Sequence, residues 1–135
     1  MQVRRPLPLV TPTNEFFWRG GAAGELRFKR CTKCQNYIHP PAPVCSECLC
    51  MELVVEAVSG RATLAAYTVN HQPWLPGFPP PYIIAIVEIE EQPSVRLTTN
   101  IVNCEEDDLE IGMPLRVVFE ACDDVHIPLF EPVGP

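Results

Sequence analysis

The sequence predicts a mainly β chain: a short N-terminal helix, a metal-binding ribbon, then a small barrel of five strands. Three observations carry this reading. Four cysteines fall as two C-x2-C pairs, CTKC at 31–34 and CSEC at 45–48. Short segments rich in β-branched residues follow, separated by turn residues at regular intervals, the pattern of small barrels and sandwiches. Sixteen prolines in 135 residues limit long helices and mark turns and strand ends.

Residues 1–10 read as an extended arm. Thr11-Pro12 then reads as a helix start, with Thr as N-cap and Pro at the first helical position, and Gly20-Gly21 as its end. Three adjacent aromatics, Phe16, Phe17 and Trp18, cannot share one helix face. ELRFKR at 25–30 alternates apolar and charged residues, a strand running into the first cysteine pair. After the second pair, ELVVEAVSG and RATLAAYTVN read as strands. HQPWLPGFPPP at 71–81 is a loop, because its prolines leave few ladder donors. YIIAIVEIE at 82–90 sets Ile83, Ala85, Val87 and Ile89 on one face and Ile84 and Ile86 on the other. Its first half is apolar on both faces, so it reads as a central strand. SVRLTTNIVNC, PLRVVFEAC and HIPLFEP complete the strands, with acidic EEDDLEIGMP as a turn. About 75 residues suit a five-stranded barrel of the OB type. The expected units are 1–24, arm and helix; 25–52, ribbon; and 53–135, barrel domain.

The cysteine spacing is the strongest chemical signal. Two residues between cysteines let one tight turn present two sulfurs to one ion, and two such knuckles close a tetrahedron. Cys31, Cys34, Cys45 and Cys48 are therefore the expected ligands of a structural zinc ion; iron in a rubredoxin-like site takes the same set. A closed four-thiolate shell leaves no position for water or substrate, so its role is folding. Seven cysteines, an odd number, and an N-terminus without the features of an export signal argue against a disulfide scaffold. The cytoplasm is the expected compartment. Cys50, Cys104 and Cys122 read as small buried side chains.

Charge separates the two halves. Residues 1–50 carry a net +4 and residues 51–135 a net −11. The acidic second half repels phosphate and disfavours the alternative reading, a single-stranded nucleic-acid-binding module. An independent enzyme would need a thiol or His71 as its reactive group, and no G-x-S-x-G, H-E-x-x-H or P-loop is present. No apolar stretch reaches the roughly 20 residues of a membrane span, so no membrane association is expected. His39 reads as a packed residue inside the ribbon loop.

Taken in order, NEFFWRGGAAGELRFKRC, the two C-x2-C pairs around HPPAPVC, SGRATLAAYTVNHQPWLPGF, IIAIVEIEE, IVNCEEDDLEIGMPLRVVFE and IPLFEP resemble the acyl-CoA-associated zinc-ribbon/OB-fold family, long described as a domain of unknown function. The resemblance spans about 11–131. It departs at Gln35 and Leu49, where small glycine-like residues are usual, at Ala42 in place of a common arginine, and at Ser46 in place of proline. The resemblance implies an accessory subunit without catalytic residues of its own. Such a subunit pairs with thiolase-fold enzymes as a hetero-oligomer, in an acyl-CoA lyase or acyltransferase complex. A steroid side-chain aldolase is one such partner, and a coenzyme A thioester is the ligand of the complex. Phe16, Phe17 and Trp18 would then serve as interface anchors. Arg19 and Arg30 would meet coenzyme A phosphates or acidic partner groups, and the loop with His71, Trp74 and Phe78 would cap an acyl tunnel or dock on the partner.

Overall fold

The computed structural model describes residues 5–134. Its elements are helix α1 (Glu15–Arg19) and strands β1 (Leu26–Cys31), β2 (Tyr37–Ile38), β3 (Leu53–Val58), β4 (Arg61–Asn70), β5 (Tyr82–Ile89), β6 (Arg96–Ile101), β7 (Pro114–Cys122) and β8 (Val125–Pro132). They form a three-stranded sheet, β2-β1-β3, and a closed barrel in the order β4-β5-β6-β8-β7. β7 returns to pair with β4, and β6 runs parallel to β8. This is the helix, ribbon and five-stranded OB barrel expected from the sequence.

The helix start is a reciprocal turn. Asn14 Oδ1 accepts from the Thr11 N–H at 2.8 Å, and Thr11 Oγ1 accepts from the Asn14 N–H at 3.3 Å. Regular helix begins only at Glu15. The α-helix ends at Arg19 with Gly20 as its C-cap, as expected. The chain then continues as a 3-10 turn, Gly20–Ala23, which Gly24 at φ 72° terminates. The glycine pair also serves packing. A Cβ on Gly21 would overlap the Cβ of His126 and lie 2.6 Å from the Phe119 ring, so only glycine lets this turn rest on β7 and β8.

β3 pairs with β1 along its whole length, from Leu26↔Val58 to Cys31↔Leu53. It belongs to the ribbon sheet by hydrogen bonding and passes through Gly60 (φ 83°) into β4. A Cβ at Gly60 would lie 2.5 Å from Val117 Cγ1, and the Gly60 carbonyl accepts the Val117 N–H at 2.8 Å. In β5, Ile83, Ala85, Val87 and Ile89 are buried while Ile84 and Ile86 face outward, and neighbours β4 and β6 flank the strand. The core of buried side chains runs continuously from Phe17, Leu26 and Phe28 into the barrel.

One side chain ties ribbon to barrel. Gln92, between β5 and β6, accepts from the Tyr37 N–H at 2.9 Å and donates to Tyr37 O and Asn36 Oδ1, both at 3.0 Å.

Candidate functional site

The two C-x2-C turns bring Cys31, Cys34, Cys45 and Cys48 together, with all four sulfurs within 4.8 Å of one another. Sγ–Sγ distances of 3.5 Å separate Cys31 from Cys48 and Cys34 from Cys45. A tetrahedron with bonds of about 2.3 Å has edges of about 3.8 Å, so the donor set fits a four-thiolate ion. Backbone amides point at the sulfurs: Lys33 and Cys34 N–H at Cys31 (3.4 and 3.5 Å), Glu47 N–H at Cys45 (3.4 Å). The Cys34 amide, with that of Lys33, holds the Cys31 thiol down to about 6. At Cys48 the Cys50 amide acts in the opposite direction, but burial and the neighbouring sulfurs of Cys31, Cys34 and Cys45 push the thiol up to about 12. Four crowded sulfurs cannot all ionise without a cation among them. Both knuckle turns close through left-handed residues, Gln35 at φ 67° and Leu49 at φ 64°.

A second feature is a groove of about 750 Å³ beside the barrel. Its origin lies in β8. The Pro128 carbonyl faces β6, where it accepts the Thr99 hydroxyl at 2.9 Å. The N–H that proline lacks would point the same way. The β6–β8 ladder is accordingly confined to Ile101↔Phe130, and the strands part upstream. Leu97 and Thr99 of β6 and Leu129 of β8 floor the opening; Phe17 and Trp18, the ribbon residues His39 to Pro41, and Leu75 and Phe78 of the proline loop wall it.

The walls are braced. Phe17 meets Trp18 edge-on at 4.8 Å, and the His39 ring sits 5.2 Å from Phe17 and 5.3 Å from Phe28. Burial holds the His39 imidazole below its usual range. Arg5 crosses the groove, 4.7 Å over the Phe78 ring and 3.1 Å from Glu120. Arg96 at the rim pairs with Glu88 at 3.0 Å.

Of the residues singled out in the sequence, Phe17, Trp18 and Phe78 come together in the groove. Phe16 lies outside it, under Lys29 Nζ at 6.0 Å. Arg19 is engaged by Glu15 (3.0 Å) and Asp124 (2.7 Å). Arg30 is engaged by Glu56 (3.0 Å) and lies 4.5 Å over Tyr37. His71 is exposed. Trp74 is 71% exposed, with its indole N–H on Asn70 Oδ1 at 2.9 Å. Sequence reasoning missed Arg5, Tyr82, Arg96 and Thr98 as groove residues. The available signal was the outward apolar face of β5, with Ile84 facing Asn100 across the ladder.

Fold and site together define a zinc-ribbon/OB-fold protein whose chemistry-bearing cluster is a closed cysteine tetrad. Residues 18–49 match the family model of the ChsH2 rubredoxin-like zinc ribbon domain, and residues 55–120 that of the ChsH2 C-terminal OB-fold domain. The chain belongs to this family, the DUF35 family. It is 34% identical over 132 residues to a probable enoyl-CoA hydratase alpha subunit of Thermomonospora curvata, covering 97% of this chain and 41% of that one. It is 33% identical over 125 residues to the 3-oxo-4,17-pregnadiene-20-carboxyl-CoA hydratase alpha subunit of Mycobacterium tuberculosis, covering 93% and 39%. The chain thus spans about two fifths of these relatives' length. Among solved structures, a chain of an Ltp2-ChsH2(DUF35) aldolase superposes with a TM-score of 0.84 at 33% identity, covering 93% of this chain and 98% of that one. No helix among the described residues is long and apolar enough to cross a membrane.

Proposed function

We propose that this chain is a non-catalytic accessory subunit. It binds and organises a thiolase-fold enzyme acting on acyl-CoA, within a hetero-oligomer, and helps to hold the acyl-CoA. A steroid side-chain aldolase, a lyase, is the partner reaction we favour. The observation that carries this reading is the likeness, over 98% of its length, to a chain of the Ltp2-ChsH2(DUF35) aldolase. The groove chemistry supports it. No cysteine lines the groove, and its single histidine, His39, is packed between aromatic rings, so it offers no nucleophile–base pair.

Cys31, Cys34, Cys45 and Cys48 hold Zn2+ in this proposal. The ion supplies cross-linking of the ribbon and no catalytic step. Iron would use the same four thiolates and would colour the purified protein red.

The test is purification of the tagged chain from its native lysate. A thiolase-fold protein is expected in stoichiometric amount, with acyl-CoA cleavage or transfer requiring both chains. A bare monomer at every salt concentration, or acyl-CoA turnover by the isolated chain, overturns the proposal.

A further inference from the structure

We infer that the far half of β4, residues 66–70, is a docking edge for a second copy of this chain, the two β4 strands pairing antiparallel about a twofold axis at Thr68. The inference starts from a ladder that stops early. β4 pairs with β7 only over Arg61↔Arg116, Ala62↔Leu115 and Thr63↔Pro114. Leu64 ends that seam, its N–H on Met113 O at 3.1 Å and its carbonyl accepting the Gly112 N–H at 2.7 Å. Beyond it the strand shifts register between Leu64 and Ala66 and runs on to Asn70 beside β5 alone. Among the described residues, no other strand bonds to residues 66–70 on the side away from β5. Ala66, Tyr67 and Thr68 are exposed in succession, so the edge is open as well as both faces. A row of open ladder groups is a template for another strand.

The residues of this edge do nothing to keep it single. Residues 66–70 read AYTVN, with no proline and no charge, and the register shift lies before them. Edges that stay single carry such features. In the ribbon sheet, the open edge of β3 has Glu56, and β2 spans only two residues.

The occupant follows from self-complementarity. Two antiparallel strands related by an axis normal to the sheet turn the same face outward, so each residue on the axis meets its own copy. Centred on Thr68, threonine meets threonine, Tyr67 meets Val69, and Ala66 meets Asn70. Threonine pairs and aromatic–β-branched pairs are favourable cross-strand neighbours, and Tyr67, 41% exposed, gains a cover. The one bulky point falls opposite the smallest side chain. Trp74, 71% exposed, stands by Asn70 with its indole N–H on Asn70 Oδ1 at 2.9 Å, and Asn70 faces only alanine. An axis at Tyr67 would instead bring in Leu64, already bonded to Met113 and Gly112. Because β5 shows Tyr82 and Ile84 to the groove, the two grooves of the dimer open on the same side.

This inference does not rest on the accessory-subunit reading. An edge this short is a small interface, so a reversible dimer with a Kd on the order of 10 μM is expected. Sedimentation equilibrium of the zinc-loaded isolated chain, from about 1 to about 300 μM, brackets that value. Thr68 is exposed, so substitutions there spare the barrel; circular dichroism and metal content serve as folding controls. Thr68→Lys sets like charges directly across the axis and is expected to weaken the dimer about fivefold or more, as is Thr68→Glu. A one-to-one mixture of the two variants sets lysine opposite glutamate and is expected to restore the dimer. Val54→Lys, on the β3 edge, is expected to leave it unchanged. Each copy carries a net −7, so a dimer held by ladder bonds and apolar cover tightens when salt rises from about 50 to about 500 mM. A monomer throughout the concentration range overturns the inference. So does a dimer undiminished in Thr68→Lys, a mixture that stays monomeric, loss of the dimer in Val54→Lys, or a dimer that salt weakens. Failure of partner co-purification with this dimer intact removes the accessory-subunit reading alone.

Discussion

Thr99 on β6 donates its hydroxyl to the carbonyl of Pro128 on β8 at 2.9 Å, and both residues are buried. The hydroxyl satisfies the Pro128 carbonyl beside the point where the missing proline N–H leaves the β6–β8 ladder short. Thr99→Val keeps the shape and removes the donor. The Pro128 carbonyl is then left without this bond in the interior, at a cost of about 1–3 kcal/mol. Urea unfolding is expected to show a lowered midpoint with an unchanged slope. An unchanged midpoint would mean that water replaces the hydroxyl.

The knuckle turns carry strain that glycine would relieve. Gln35 and Leu49 sit at φ 67° and 64°, a region costing a side chain about 1–2 kcal/mol. Leu49 is 73% exposed, so it gives up little burial when removed. Leu49→Gly is expected to stabilise the zinc-loaded chain by about 1 kcal/mol, and Gln35→Gly by less, because the Gln35 side chain also donates to the Thr32 carbonyl at 3.1 Å. Thermal melts with zinc in excess check both. Destabilisation by Leu49→Gly would show that its side chain has a packing role in the assembled protein.

Much of this architecture is legible in the sequence. The cysteine spacing specifies the tetrad because ligand chemistry acts over a few residues. The double apolar face of 82–90 marks a strand flanked on both sides for the same local reason. The groove is not legible, because Arg5, Trp18, His39, Phe78, Thr98 and Leu129 come from distant segments and meet only once the barrel has closed. Even the aromatic trio divides without a local signal: Phe17 enters the core, Trp18 lines the groove and Phe16 faces Lys29. A glycine pair signals either a stop or a close approach, and here it is both: Gly20 caps α1, while the close approach of Gly21 to His126 and Phe119, far away in the chain, has no local signal.

Metal removal separates ribbon from barrel. The ribbon buries a small cluster of its own, Cys31, Ile38 and Cys45, too little to hold it without the ion. Chelation after mild thiol blocking is expected to release one zinc per chain. Amide exchange should then quicken in β1–β3, while β5, flanked on both sides, stays protected. Equal loss of protection in both halves would mean that barrel and ribbon fold as one cooperative unit.

Glu131 gives the acid limb of stability. Hydrogen bonds from Asn103 Nδ2 at 2.7 Å and Arg116 Nε at 2.6 Å hold its carboxyl below the ordinary range. A carboxylate with a depressed folded pKa stabilises the fold above its unfolded value, about 4.3. That contribution fades as pH falls through the lower folded value. Unfolding free energy should therefore decline from about pH 5 downward, more gently in Glu131→Gln than in the parent chain. Parallel declines in the two would place the acid sensitivity elsewhere.

Gln92 bonds to both backbone groups of Tyr37 and to the side chain of Asn36, so ribbon and barrel are joined by more than the Ser59-Gly60 link. In solution such a molecule tumbles as one rigid top, not as two beads on a thread, and nuclear relaxation would return a single correlation time. A partner gripping the ribbon would thereby fix the bearing of the groove, as a hand on a wrench handle fixes its jaw.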